Sequence, residues 1–513
     1  MNIPKIIARY ASDHADRTAV ISKEGSWTFA EVNERSNRLA NGLRELGLAR
    51  GDRVATLIGN GHRFQEIEFA LVKLAAARVA LNLRHSPEEV IWQINDCRPK
   101  AIIMQAEGLA KLGGVLPQLE GVEHFICFGG AQEGVHDYEK MISMGSPGAF
   151  ETAVGDEDVW TINYTSGTTG APKGIMIPFR SCMAILRNLL LDMIPHLAAT
   201  DVYMSLQPLF PAGASFILPC WVKGAAHTIV NKFDETSFPM VEEWGVTMIK
   251  TVPTVLQRFI EYGQKNPSSF RKLHTVIYGG APMPVEKLKE GITRFGPVFV
   301  GNYGQTEAPQ TDLVLTREDH AYPGKLGSAG KPYTMVEARI VDDDGRDVPV
   351  GEEGELVLSG DHLMLGYWNR PAEATAEALR DGWVYTRDVA RKDRQGYFYL
   401  VDRKGEMIIS GGYNIYPNEV EQVVYQHPAV SEAAVIGVPD DQWGEAVKAI
   451  VCLKPGAAAT EQEIIDFCKE RLASYKKPKS VDFVEGLPKS PYGKILRREL
   501  RAPYWKGREK RVN

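Results

Sequence analysis

Between positions 164 and 174 the chain reads Tyr164-Thr165-Ser166-Gly167-Thr168-Thr169-Gly170-Ala171-Pro172-Lys173-Gly174. Hydroxyl residues and glycines at this density suit one kind of ligand, a polyphosphate. Glycine lets backbone N–H groups come close to phosphate oxygens. The hydroxyls donate further hydrogen bonds, and Lys173 adds a compact positive charge. The Walker A spacing GxxxxGK[ST] occurs nowhere in the chain, so this phosphate loop is of another design. Glu307 ends the run Asn302-Tyr303-Gly304-Gln305-Thr306-Glu307 and is the type of oxygen donor that a hard cation prefers. Asp388 offers the paired acceptors that match a sugar diol. Lys494 stands in a basic stretch at 489–498, most of which reads as solvated surface.

The 164–174 stretch resembles the signature loop of the AMP-forming adenylating superfamily, which includes acyl-CoA synthetases, firefly-type luciferases and peptide-synthetase adenylation domains. Other motifs similar to those of the family follow in order over nearly the whole chain. They are Tyr278-Gly279-Gly280-Ala281-Pro282, the run ending at Glu307, Gly354-Glu355-Leu356, Gly366-Tyr367-Trp368-Asn369, Tyr385-Thr386-Arg387-Asp388, Asp402-Arg403, Ser410-Gly411-Gly412-Tyr413-Asn414 and Pro491-Tyr492-Gly493-Lys494. Each is weak alone, and together they are specific.

The resemblance implies a two-step reaction. A carboxylate attacks the α-phosphorus of ATP, pyrophosphate leaves, and a thiol then displaces AMP to give a thioester. Both steps gather negative charge, so they call for cations and aligned donors more than for a covalent nucleophile. By resemblance, Thr165, Ser166, Gly167, Thr168, Thr169 and Lys173 hold the β- and γ-phosphates, Thr306 the α-phosphate and Glu307 a Mg²⁺ ion. Gly280, Ala281, Pro282, Asn302, Tyr303 and Gly304 would frame the adenine, and Asp388 and Arg403 the ribose and phosphate. Lys494 would be the catalytic lysine of adenylation, carried on a domain that rotates. In the other orientation Gly411, Gly412 and Tyr413 would form a pantetheine tunnel, with Tyr475 and Lys477 on the nucleotide end of CoA. The expected cofactors and co-substrates are therefore ATP, Mg²⁺ and CoA.

Two departures from the family pattern stand out. Gly405 occupies a hinge position where relatives often carry Asp or Lys, so the pivot falls on Lys404 and Gly405. Pro211 follows Pro208-Leu209-Phe210 where relatives often carry a histidine. Phe210, Pro211, Ala212 and Gly279 are the expected walls of the acyl pocket, with Lys250 the one fixed positive charge nearby. The acid expected is thus a hydrophobic monocarboxylate, either a medium- or long-chain fatty acid or a cyclic or aryl acid. The alternatives are a carrier-protein-loading adenylate former, a luciferase-like oxygenase that shares the first step, and a non-catalytic nucleotide-binding regulator.

The elements that position these residues can be read locally. Thr28-Phe29-Ala30-Glu31 is a capping-box pattern, followed by Val32, Leu39, Leu43 and Leu46 at helical spacing. Apolar runs at 54–58 and 276–278, each bounded by glycine, read as buried strands. This alternation predicts an α/β fold with parallel-rich sheets. Past residue 330 the strands shorten, with turn chemistry at Asp343-Asp344-Gly345 and Asp381-Gly382, which predicts a small β-barrel-like unit. A polar break at 402–405 precedes a strand at 430–438 and a helix capped by Thr460. The organisation expected is an N-terminal domain at 1–402, divided into two α/β subdomains over about 1–330 and a β-rich subdomain at 331–402. A mobile α+β domain follows at 403–513 after a hinge at 402–405.

Composition bounds what remains. The 513 residues suffice for roughly three folding units. Hydrophobic residues at 44% and charged residues at 24% exclude a largely disordered chain. A net charge of −6 gives no basic excess for wrapping nucleic acid. The six cysteines show no CxxC spacing, which argues against a disulfide framework or a zinc site. No apolar run approaches a membrane span, and no secretory signal is visible at the N-terminus. A reduced, cytoplasmic compartment is expected, with small-molecule partners, no nucleic acid, no integral membrane association and a homodimer as the default assembly.

Overall fold

The computed structural model describes residues 2–165, 172–209, 213–231, 235–266, 270–404, 406–410, 413–490 and 494–506. Among these residues the strands form four sheets. An eight-stranded sheet is centred on the parallel strands Ala77–Ala80, Arg53–Leu57, Ala101–Gln105 and His124–Phe128. Ala77–Ala80, Arg53–Leu57 and Ala101–Gln105 are almost wholly buried, as parallel strands covered on both faces must be. Beside Ala77–Ala80 lies the antiparallel pair Val159–Thr165 and Lys173–Pro178, and then the short strand Gly366–Tyr367.

A nine-stranded sheet has a parallel centre of Phe299–Tyr303, Thr275–Gly279, Met248–Thr251, Val202–Ser205 and Ala226–Ile229. One buried cluster contains Phe29, Phe69, Phe179 and Trp221, with the Trp221 indole donating to the Ile7 carbonyl at 3.0 Å. The helix Phe29–Glu45 begins as its sequence requires. Thr28 Oγ1 accepts from the Glu31 N–H, and the Glu31 carboxylate returns to the Thr28 N–H at 2.7 Å. The same box opens Glu461–Lys469 at Thr460 and Pro87–Cys97 at Ser86. Each such cap stabilises its helix by about 1 kcal/mol.

The expected β-barrel-like unit is a five-stranded antiparallel sheet of Glu337–Val341, Glu353–Ser359, Trp383–Lys392, Leu379–Arg380 and Phe398–Arg403. The 331–402 stretch is not confined to it. Lys331–Pro332 is an edge of the nine-stranded sheet, and Gly366–Tyr367 returns to pair with Lys173–Pro178. The fourth sheet is formed by Tyr413–Ile415, Ile408–Ser410, Gly444–Leu453, Val430–Asp440 and Ser480–Phe483. The helices Pro417–Val424 and Glu461–Lys469 contribute Val420, Val424, Ile464 and Cys468 to its core.

All six cysteines are free and buried. Among the described residues, no helix is long and apolar enough to cross a membrane.

Candidate active site

Thr165 and Lys173 face each other in register at the ends of their two strands, so the strand pair delivers both to the base of the 166–171 loop. Ser166, Gly167, Thr168 and Thr169 lie outside the described residues. The base is fastened from several sides. Tyr164 Oη donates to Asp96 Oδ2 at 2.6 Å, and Arg370 donates to Asp96 Oδ1 at 3.0 Å and to the Pro172 carbonyl at 2.9 Å. Asp96 and Arg370 were not visible as site residues in the sequence, because the contact joins positions far apart in the chain.

The return of Gly366–Tyr367 to the first sheet places Tyr367 between two predicted site residues. Lys173 Nζ lies 4.7 Å from the Tyr367 ring centroid, and Tyr367 Oη donates to Glu307 Oε1 at 3.1 Å. Nearby, Asp312 and His362 form a fully buried pair at 2.7 Å. Burial pushes the Asp312 carboxyl up to about 6, against the opposing hydrogen bond and charge of His362. The Asp312 N–H donates to the Tyr303 carbonyl at 3.3 Å and the Met364 N–H to the Glu307 carbonyl at 2.9 Å, so this region fixes the turn carrying Thr306.

Asp388 is 7% exposed and gathers three donors. Its Oδ2 accepts from Tyr303 Oη at 2.6 Å and Gln305 Nε2 at 2.8 Å, and its Oδ1 accepts from Arg403 Nε at 2.7 Å. Burial would lower the Arg403 pKa, but the charge and hydrogen bond of Asp388 hold it above the ordinary guanidinium value. Arg387 and Asp388 are held from behind, because Glu355 Oε1 accepts from the Arg387 N–H at 2.8 Å. Gly279 and Asn302 are register partners on adjacent strands, and Tyr333 Oη donates to Asn302 Oδ1 at 2.9 Å. Gly280 and Pro282 are exposed at the end of the strand Thr275–Gly279, with Ala281 half-buried between them.

Lys494 faces this same place. It lines a cleft with Ala281, Pro282, Asn418 and Arg497. Its backbone N–H donates to Ser490 Oγ at 3.2 Å, and its carbonyl accepts from the Ser490 N–H at 2.7 Å. Desolvation of the ammonium, and then the positive charge of Arg403, push the Lys494 pKa below the ordinary lysine value. Arg497 braces the segment through Glu421 and Glu406, each at 2.7 Å. Lys404 reaches Asp343 at 2.8 Å and Glu355 at 3.0 Å.

On the C-terminal unit, Tyr413 and Tyr475 stack with ring centroids 4.6 Å apart and planes 23° apart. They are 56% and 40% exposed, a large apolar surface left open to solvent. Lys477 is half-buried two residues from Tyr475. Phe210, Pro211, Ala212, Gly405, Gly411 and Gly412 lie outside the described residues.

The arrangement therefore brings cationic Lys173, Arg403 and Lys494 toward carboxylate Glu307 and the acceptor Asp388, a charge pattern able to hold a nucleoside polyphosphate. Among the described residues, no cluster of three or more His, Cys, Asp or Glu could hold a metal ion by itself. Glu307 does fit Mg²⁺, because that ion binds through one or two carboxylates and completes its shell with phosphate and water.

The AMP-binding enzyme family matches residues 7–368, and the AMP-binding enzyme C-terminal domain matches residues 419–494. The chain is 39% identical over 497 residues to a feruloyl-CoA synthase of Amycolatopsis sp, covering 96% of each chain. It is 34% identical to a 2-succinylbenzoate–CoA ligase of Bacillus cereus (strain Q1), covering 95% of each. Among solved structures it is similar to the anthranilate CoA ligase AuaEII in complex with anthranoyl-AMP. The TM-score is 0.90 and the identity 28%, over 98% of this chain and 97% of that one.

Proposed function

The chain belongs to the AMP-binding enzyme family and is an AMP-forming acyl-CoA ligase, and we propose that the acid it activates is an aryl acid. The reaction joins an acid to CoA in two steps. A carboxylate oxygen bonds to the α-phosphorus of ATP while the bond to pyrophosphate breaks. The CoA sulfur then bonds to the acyl carbon, the bond to AMP breaks, and the thiol proton leaves. Support for an aryl acid comes from relatives named for feruloyl, 2-succinylbenzoate and anthranilate chemistry.

The residue roles proposed are those that the resemblance to the family implies. The 165–173 loop takes the β- and γ-phosphates, and Lys173 supplies their countercharge. Thr306 meets the α-phosphate, and Glu307 holds Mg²⁺, which when bound neutralises phosphate charge. Two carboxylate oxygens have roughly four lone-pair sites, so Asp388 keeps capacity for a ribose hydroxyl beside its three protein donors. Tyr303 and the 280–282 segment frame the adenine. Lys494 bridges the incoming carboxylate and the α-phosphate, where negative charge concentrates as the first step proceeds.

The observation that supports this reading is the cleft in which Lys494, from the C-terminal unit, stands with Ala281 and Pro282 at the end of the strand Thr275–Gly279. That orientation suits adenylation. The Tyr413–Tyr475 stack, with Lys477, provides an aromatic and basic surface for the nucleotide end of CoA once the 403–513 domain has rotated about Lys404 and Gly405. The test uses Lys494→Ala, which should abolish pyrophosphate release yet largely spare thioester formation from supplied acyl-adenylate. Equal loss of both half-reactions would refute the assignment.

A further inference from the structure

Lys250 lies on the central strand Met248–Thr251 and is 3% exposed. A lysine this deep is normally paired with a carboxylate. Here the polar partner among the described residues is the neutral side-chain oxygen of Gln310, and the ammonium also lies 4.8 Å from the Phe216 ring centroid. Burial pulls its pKa down to about 7. An ammonium can donate three hydrogen bonds, so donor capacity is left over in a dry place.

Its position indicates what that capacity serves. The register pairs Lys250 with Ser205 on one side and Ile277 on the other. Ile277 precedes Gly279 by two residues, so Lys250 shares a sheet face with the Gly279–Asn302 pair and sits about 7 Å deeper along the strands. Its two contacts come from segments that flank the site. Phe216 ends the turn Gly213–Phe216, directly after the predicted acyl-wall residues, and Gln310 follows Glu307. Two further buried groups around this floor are incomplete. The Gln207 side-chain nitrogen finds no partner among the described residues, although the residue is 5% exposed. Asn188 donates to Thr311, beside Gln310, at 3.1 Å, but its side-chain oxygen finds no partner among the described residues. Buried polar groups left unmade are costly, so several in one region mark a place where a ligand completes the bonding.

We propose that Lys250 recognises a hydrogen-bond-accepting or anionic oxygen carried by the acid at the end remote from its reacting carboxylate. This rests on the aryl-acid ligase reading above and narrows it to oxygen-substituted aryl acids. Lys250 is then a specificity-determining residue. An acid lacking the oxygen would leave the ammonium buried against hydrocarbon, whereas one bearing it restores the missing partner.

The test compares kcat/KM for pyrophosphate release with 4-methylcinnamate, 4-hydroxycinnamate and 4-carboxycinnamate. The first two are nearly equal in size, and the third separates an anionic from a neutral oxygen. The wild-type enzyme should favour at least one oxygenated acid over the methyl acid by about tenfold or more. Lys250→Met, similar in volume, should reduce that advantage to about threefold or less, mainly through KM, while turnover of the methyl acid persists. A wild-type enzyme that prefers the methyl acid or shows no preference overturns the proposal, whether or not the variant folds, and leaves the ligase reading intact. An oxygen preference that survives Lys250→Met also overturns it. Failure to turn over any of the three acids overturns the aryl reading and the proposal together.

Discussion

Asp388 Oδ1 and Arg403 Nε lie 2.7 Å apart on neighbouring antiparallel strands whose register pairs these two residues directly. The pair links the carboxylate proposed to bind ribose to the start of the segment leading into the C-terminal unit. Because the charge of Arg403, after desolvation, also lowers the Lys494 pKa, one guanidinium acts on both Asp388 and Lys494.

A pH dependence follows. Lys494 acts as an ammonium, and desolvation followed by the charge of Arg403 lowers its pKa from 10.5. Adenylation should therefore fall as pH rises through a midpoint below 10.5 in the kcat/KM profile for ATP, which reports the free enzyme. Arg403→Gln should move this limb toward higher pH by removing a like charge. Thioester formation from supplied acyl-adenylate should lack the limb. An adenylation profile flat up to the ordinary lysine range would contradict the assignment.

Tyr367→Phe should separate metal-nucleotide binding from stability. The substitution removes the hydrogen bond to Glu307 but keeps the ring beneath Lys173. The apparent KM for Mg-ATP should rise about tenfold, equivalent to ~1.4 kcal/mol, with Tm nearly unchanged. Magnesium titrations of initial pyrophosphate release, run beside thermal melts, would show whether the loss lies in binding.

Gly279→Ala should damage both fold and site. An added Cβ would stand 2.3 Å from the Asn302 carbonyl oxygen on the next strand, and backbone cannot swing aside as a flexible side chain can. Destabilisation of about 1–3 kcal/mol is expected, together with loss of adenylation. Denaturant melts and single-turnover pyrophosphate release would measure the two effects separately.

Much of this chain is legible locally. The Thr28 and Thr460 caps, the buried strands and the α/β alternation follow from spacing alone, because each depends on neighbours within a few residues. The site is legible in the sequence through the resemblance of its short motifs to those of the family rather than through spacing. The connections between motifs are not. Tyr367 reaches Glu307 because Gly366–Tyr367 crosses into the first sheet, and periodicity does not say which sheet a short strand joins. The Asp96–Arg370 and Asp312–His362 pairs likewise join distant positions through tertiary packing. Lys250 was visible as a charge near the acyl walls, but the absence of a described carboxylate beside it emerged only from the packed structure.

The two bridges from Lys404 differ in kind. Asp343 is 94% exposed, whereas Glu355 is 10% exposed and also supports the backbone before Asp388. Dissolved ions weaken the outer contact far more than the inner one. At the proposed pivot, Lys404 thus has two stages of attachment. If the proposed rotation occurs there, ionic strength should loosen the first stage and ease the swing of the C-terminal unit, while the second keeps Lys404 in register for the return.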